Sequence, residues 1–163
     1  MRNGEAMSEG QLFVLALADK DAVALKRLLH PDLEFRALTP RRTWEEGRAE
    51  AVVDDVLLGT WFGPAASITE IVAMDTAPVG ARHRVSYRLR VEREDGSFLV
   101  EQQASYDLDG DRIARLHLMC AGFQPTAAAG ADGGSAAPGQ LPPSPPQDLS
   151  TLPTARSHGR SRR

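Results

Sequence analysis

Three alternating runs, residues 81–93, 98–108 and 112–120, follow one another with Asp95-Gly96 and Asp109-Gly110 between them. An Asp-Gly pair suits the tight turn of a hairpin, and strict alternation gives a strand one apolar and one polar face. Together they specify an antiparallel meander whose apolar face has to be covered, and a fourth strand-like run, 67–77, precedes it. Parity assigns the inner face. His83, Val85, Tyr87, Leu89 and Val91 share one side of the first run, opposite Arg82, Arg84, Ser86, Arg88 and Arg90. Phe98, Val100, Gln102, Ala104, Tyr106 and Leu108 share the inner side of the second. In the third, Ala114, Leu116, Leu118 and Cys120 point inward and Arg115 and His117 outward, an assignment that a bulge would reverse.

The cover comes from the first sixty residues. Ser8 and Gln11 have capping-box spacing, which predicts a helix carrying Leu12, Leu15 and Ala16. Asp19 is placed to cap a second, short helix with Val23, Leu25, Leu28 and Leu29 inward, and His30-Pro31 ends it, because proline restricts the residue before it to extended conformations. Leu33, Phe35 and Ala37 alternate with Asp32, Glu34 and Arg36 in a short strand. Thr43 and Glu46 offer a second capping box, opening a third helix with the stripe Val52, Val53, Val56 and Leu57 that ends between Gly59 and Gly63. The sum is an α+β domain, helices packed on one face of a curved antiparallel sheet.

Composition divides the chain. All nine aromatic residues precede residue 124, and seven of the eleven prolines follow it. The expected organisation is a flexible N-terminus, 1–7, an α+β domain, 8–123, and a disordered Pro/Ala/Gly-rich tail, 124–163, whose Pro142-Pro143 and Pro145-Pro146 pairs favour polyproline II. The tail has a charge of +2, so the overall −3 conceals a domain at −5, which argues against a nucleic-acid partner. No run approaches the roughly 18 apolar residues of a membrane span, and Met1 to Gly10 is too polar for a secretory segment, so a soluble, cytoplasmic protein with no membrane partner is expected. One cysteine, Cys120, forms no intrachain disulfide. With no phosphate-cradling glycine motif, paired-histidine zinc spacing or nucleophile elbow, neither a metal nor a nucleotide cofactor is expected.

The residues Asp19 and Asp21, the run Leu28-Leu29-His30-Pro31-Asp32-Leu33-Glu34-Phe35, Gly47-Arg48-Ala49-Glu50, and Leu108-Asp109-Gly110-Asp111-Arg112-Ile113 occur in an order that resembles the nuclear transport factor 2-like superfamily, and within it the SnoaL-like group. The resemblance implies a cone: a curled sheet with helices on its concave side, an apolar pocket open at one end, a small apolar ligand, and often a homodimer formed through the sheet. Members include polyketide cyclases, ketosteroid isomerase, scytalone dehydratase and limonene epoxide hydrolase, besides many binding and association modules, so the fold fixes no reaction. The signature carboxylate of the cyclases is not recognisable in Arg115-Leu116-His117-Leu118.

Parity leaves four polar groups facing inward: His83, Tyr87, Gln102 and Tyr106, with no inward carboxylate in the long strands. His83 suits general acid/base work, or is a histidine at the strand's entrance. Tyr87 and Tyr106 are donors to a ligand oxygen, or core aromatics with satisfied hydroxyls. Gln102 among apolar neighbours orients a ligand or satisfies a helix end. Trp44, Trp61 and Phe62 flank the third helix, as walls of a pocket mouth or as packing. Glu34 and Asp32 fall on the solvated side of their strand, and Cys120 reads as a buried thiol or a nucleophile. The arginine face pairs with Glu101 and Asp107, or bridges to a partner subunit. Three functions fit these residues. The first is a small-molecule binder. The second is a cofactor-independent isomerase, cyclase or dehydratase acting on a polyketide-like or steroid-like ketone, with His83 as proton shuttle and Tyr87 or Tyr106 as electrophile. The third is a structural dimerisation module.

Overall fold

The computed structural model describes residues 5–126. Of the expected tail, only its first three residues fall within that range, and Gln124 and Pro125 complete the last strand. The disorder expected further on, and that of residues 1–4, lies outside the described residues. Within them no helix is long and apolar enough to cross a membrane.

Helix α1, Glu9–Ala18, starts at the expected capping box: Ser8 Oγ accepts from the Gln11 amide at 3.2 Å, and Gln11 Oε1 accepts from the Ser8 amide at 2.9 Å. Helix α2, Ala22–Leu28, is capped by Asp21, which accepts from the Ala24 amide, and not by Asp19. Asp19 instead closes α1, its amide donating to Leu15 and Leu17, so the second cap falls two residues later. The new phase turns Val23 outward, 61% exposed, while Leu25 and Leu29 are fully buried. Between the helices Lys20 adopts a left-handed conformation (φ 51°). Its Nζ donates to the carbonyls of Gly63 and Ala66, tying this corner to the chain beyond the third helix, and partial burial lowers its pKa.

Strand β1, Leu29–Thr39, follows α2 directly, and β2, Arg42–Glu46, folds back on it through Pro40-Arg41. This hairpin overturns the second capping box. Thr43 pairs with Leu38 and Glu46 with Phe35 across the ladder, because the tight turn brings those backbone groups into register before a helix can begin. The third helix starts at Ala49, as a short α3, Ala49–Ala51, and continues as a π-helical segment, Val52–Trp61. The Phe62 amide there donates to the carbonyl of Leu57, five residues back. Strands β3, Ala66–Val79, β4, Arg82–Arg93, β5, Gly96–Asp109, and β6, Arg112–Pro125, form the expected meander.

The six strands form one sheet in the order β2-β1-β6-β5-β4-β3. The class is α+β as expected, and every junction is antiparallel except β1 with β6, which run parallel. The curled sheet buries one face under the helices. Parity holds for β1, β4 and β5: Leu33, Phe35, Ala37, Val85, Tyr87, Leu89, Val91, Val100, Gln102, Ala104 and Tyr106 are all buried. In β6 a bulge inserts Ala114 between the pairs Leu108–Ile113 and Asp107–Arg115. Ile113 therefore takes the inward place expected of Ala114, and Leu116 and Leu118 resume the expected phase. α1 packs on β3 and β4, while α2 and α3 pack on β1.

Runs of π-helix beyond a single turn are rare, because the widened turn packs poorly along its own axis. Gly59 makes this one possible: a Cβ there would stand 2.4 Å from the Asp54 carbonyl oxygen. Gly59→Ala, normally worth about 1 kcal/mol of added helix stability, should instead destabilise the protein by about 1–3 kcal/mol, as forced overpacking does. Urea denaturation measures this, and a variant as stable as the parent would contradict it.

Candidate functional site

The register distributes the inward polar groups over two rows of the inner face. In the first row His83 pairs with Tyr106, Tyr106 with Leu116, and Leu116 with Phe35. The His83 and Tyr106 rings stack at 5.2 Å between centroids. The Tyr106 hydroxyl accepts the Gly10 amide at 3.0 Å, from the first turn of α1. That contact needs glycine, since a Cβ on Gly10 would lie 2.8 Å from the phenolic oxygen. Tyr106 thus keys α1 onto the sheet, and half-buried His83 stands at its side.

In the second row Tyr87 pairs with Gln102, and Gln102 with Cys120. Two same-face steps separate Tyr87 from His83 along β4, roughly 13 Å of strand, so the structure does not gather His83, Tyr87, Tyr106 and Gln102 into one contact. The Tyr87 hydroxyl donates to Gln102 Oε1 at 2.6 Å. Burial, with a smaller contribution from Cys120, pushes the Tyr87 pKa well above the usual phenol value, so it acts as a neutral donor. With the phenol donating, the amide oxygen faces Tyr87 and the nitrogen lies on the other side. Gln102 Nε2 is buried and has no hydrogen-bond partner. Gln102 is 1% exposed, and among the described residues it shares the buried set with the polar-tipped Tyr87, Tyr106 and Trp61. The Cys120 thiol closes the row, half-buried, and accepts weakly from the Gly122 amide.

The aromatic residues form a third group. Trp61, at the end of the π segment, packs edge-on to Trp44 of β2 at 5.7 Å and tilts against Phe35 of β1 at 6.1 Å. Trp44 donates its indole N–H to Thr39 and carries the Arg42 guanidinium on its ring. The indole N–H of Trp61 is buried and has no partner. Phe62 is fully buried and packs on Phe123. The unpaired donor on Trp61 and the tie from Lys20 carry no sequence signal, because both depend on how far the π segment stands from the sheet.

The outer face is a lattice of charge. Arg88 pairs with Glu101 at 2.7 Å and Arg82 with Asp107 at 3.4 Å, as the alternation suggests, while Arg84 and Arg90 reach Asp75 and Glu70 on β3. Arg115 bridges Glu34 and Asp107, spanning three strands. A hydrogen bond from His117, with the Arg115 guanidinium beside it, holds the Glu34 carboxyl below its ordinary pKa, so Glu34 is an ionised surface group and not an acid for catalysis. Exposed pairs of this kind contribute at most about 1 kcal/mol each. Between them Leu38 and Met119 lie 52% and 63% exposed, in a cleft of about 440 Å³ shared with Arg36, Thr43, Gln103 and His117.

No family model matches the chain, and no curated protein does. Solved structures do match. A provisionally named isomerase from Rhodopseudomonas palustris superposes with a TM-score of 0.57 at 10% identity, over 71% of this chain and 90% of its own. An LEH-like epoxide hydrolase from Mycobacterium tuberculosis gives 0.52 at 12% identity, over 69% and 79%. A nuclear transport factor 2-like protein from Burkholderia thailandensis gives 0.52 at 15% identity, over 71% and 92%. The fold is that of the nuclear transport factor 2-like superfamily, as the sequence resemblance implies.

The Tyr87–Gln102 bond has a measurable signature. Tyr87→Phe leaves Gln102 buried with neither end satisfied and should cost about 1–3 kcal/mol, whereas Tyr87→Phe/Gln102→Leu, which removes both partners, should recover most of that loss. Chemical denaturation of the two variants decides it, and a double variant less stable than the single one would refute the pairing.

Proposed function

We propose that this chain binds a small, largely apolar molecule between the inner face of its sheet and the third helix, against the row Tyr87, Gln102 and Cys120. The observation that carries the reading is the amide nitrogen of Gln102, a buried donor without a partner in surroundings that are otherwise apolar. An unmet buried donor costs about 1–3 kcal/mol, and a ligand oxygen would recover that cost. The fold supports the reading, since its solved relatives include proteins named as an epoxide hydrolase and as an isomerase. The interior is closed by Phe13, Leu57 and Phe62, each fully buried, so occupancy requires the third helix to move outward. Ligand should therefore raise the melting temperature and slow hydrogen exchange in Val52–Trp61.

The test is a thermal-shift screen of apolar ketones, epoxides and hydrocarbons, followed by exchange mapping and a turnover assay for each hit. Stabilisation that maps to the π segment and weakens in Gln102→Leu is expected. Stabilisation by no compound, or mapping only to the outer face, would overturn the reading. Turnover lost in His83→Ala with binding retained would convert the binder into the cofactor-independent isomerase, cyclase or dehydratase, with His83 moving the proton beside Tyr106.

A second reading, association of two copies through the sheet, is favoured by one observation: Leu38 and Met119 are exposed together on the outer face. Light scattering should give a dimer mass, and Leu38→Glu/Met119→Glu should give a monomer with an unchanged circular dichroism spectrum. A native chain that is monomeric at tens of micromolar would exclude this interface as a stable one.

A further inference from the structure

Cys120 is the one cysteine of the chain, and it ends a row of three polar side chains on the inner face. In the ladder Gln102 is flanked by Tyr87 on β4 and by Cys120 on β6. The Gln102 oxygen takes the Tyr87 hydroxyl, so its nitrogen lies on the Cys120 side, buried and without a partner. Residues directly opposed on one face of a sheet hold their Cβ atoms roughly 5 Å apart, which puts the amide and the thiol within each other's reach. Tyr87 also senses the thiol: burial raises its pKa, and Cys120 adds to that rise. A second donor already sits on the sulfur. β6 bulges just past Cys120, setting Ala121 and Gly122 against Glu101 alone, and the Gly122 amide donates to Sγ at 3.3 Å. That turn needs glycine, since its φ is 84° and a Cβ would stand 2.9 Å from Pro40. Unlike Gln102, Cys120 is half-buried, and it lines an open cleft of about 350 Å³ with Thr39, Pro40 and Met119.

We propose that Cys120 is a site of reversible oxidation by hydrogen peroxide, and that Gln102 Nε2 holds the oxygen the sulfur gains. The sulfur attacks one peroxide oxygen as the O–O bond breaks, and the thiol proton leaves with the other oxygen as water, so the thiol becomes a sulfenic acid and the peroxide is reduced. The new oxygen projects from Sγ and accepts where the thiol makes no bond to Gln102, so the unmatched donor becomes matched. With one cysteine in 163 residues, no second thiol of the chain can condense with the product. A small external thiol does so, forming a mixed disulfide and releasing water, and a second molecule of it restores Cys120 by exchange. The proposal is independent of the binding function above, because peroxide reaches the thiol from the cleft.

The test exposes the full native chain to hydrogen peroxide, traps sulfenic acid with dimedone, which does not react with methionine sulfoxide, and locates the adduct by peptide mass spectrometry. An adduct on Cys120 is expected, with none in Cys120→Ser. On oxidation the side-chain amide protons of Gln102 should shift in the nitrogen–proton spectrum and exchange more slowly, and dithiothreitol should reverse both changes. In Gln102→Leu the sulfenic acid should pass on to the sulfinic acid about tenfold sooner, the loss of one hydrogen bond expressed as a ratio. A native chain that takes no dimedone, while the same chain unfolded in urea does, would overturn the proposal, as would equal lifetimes in the native chain and Gln102→Leu. An adduct formed with the Gln102 amide protons unmoved would overturn it too, and that measurement is made on the native protein, whatever the variant does. None of these failures bears on the ligand screen, which uses the reduced chain.

Discussion

The parallel pairing of β1 with β6 holds the two ends of the domain together. Every other junction of the sheet joins strands that are neighbours in sequence, whereas this one brings Phe35 to Leu116 and Ala37 to Leu118 across most of the chain. Closing so long a loop costs chain entropy, and what offsets it is buried on the inner face. The hairpin β1–β2 carries Phe35, Ala37 and Trp44, the surface on which Trp61 rests. The pairing sets β1, which carries α2 and α3, beside the meander, whose β3 and β4 carry α1, and the packing of α1 on α2 closes the helical layer over the joined sheet. The ion pair of Glu34 with Arg115 marks the same seam from outside, but at exposed sites it follows the pairing and does not drive it.

Around that seam the interior is mostly apolar, and its two tyrosines are anchored differently. Tyr106 spends its hydroxyl on the Gly10 amide and so fixes the angle at which α1 crosses the sheet. Tyr87 donates its own to Gln102, whose amide nitrogen stays buried without a partner. The two tyrosines look alike in a strand pattern, yet one is a structural key and the other orients a donor. That difference arises from which residue of α1 stands against each ring, Gly10 for Tyr106 and Phe13 for Tyr87.

What could be read from residues alone was whatever is decided locally. The Ser8 capping box, the Asp-Gly turns and the faces of β4 and β5 depend on residues within a few positions of one another, and they appear where expected. Gln102 was legible as an inward amide for the same reason. Thr43 and Glu46 fit a capping box and a strand equally well, and only the turn at Pro40-Arg41 chooses between them. Asp19 and Asp21 both suit a cap, and the length of α1 decides. The π geometry of Val52–Trp61 shares its apolar stripe with an ordinary helix, so the widened turn, and with it the position of the Trp61 N–H, is visible only in three dimensions. The bulge at Ala114 is of the same kind: one extra residue against a partner strand, with no mark in its own sequence.

β6 lies in the interior of the sheet, with β1 on one side and β5 on the other, and Thr126 just beyond it is fastened to Ser97 through both its amide and its hydroxyl. A pull on the chain at that point runs along the strand and loads two ladders at once in shear, so their bonds share the force and do not open one by one. The domain is therefore stiffest at its C-terminal attachment. At the edge formed by β3 there is one ladder in place of two, since β3 pairs with β4 alone within the sheet, with α1 packed on it.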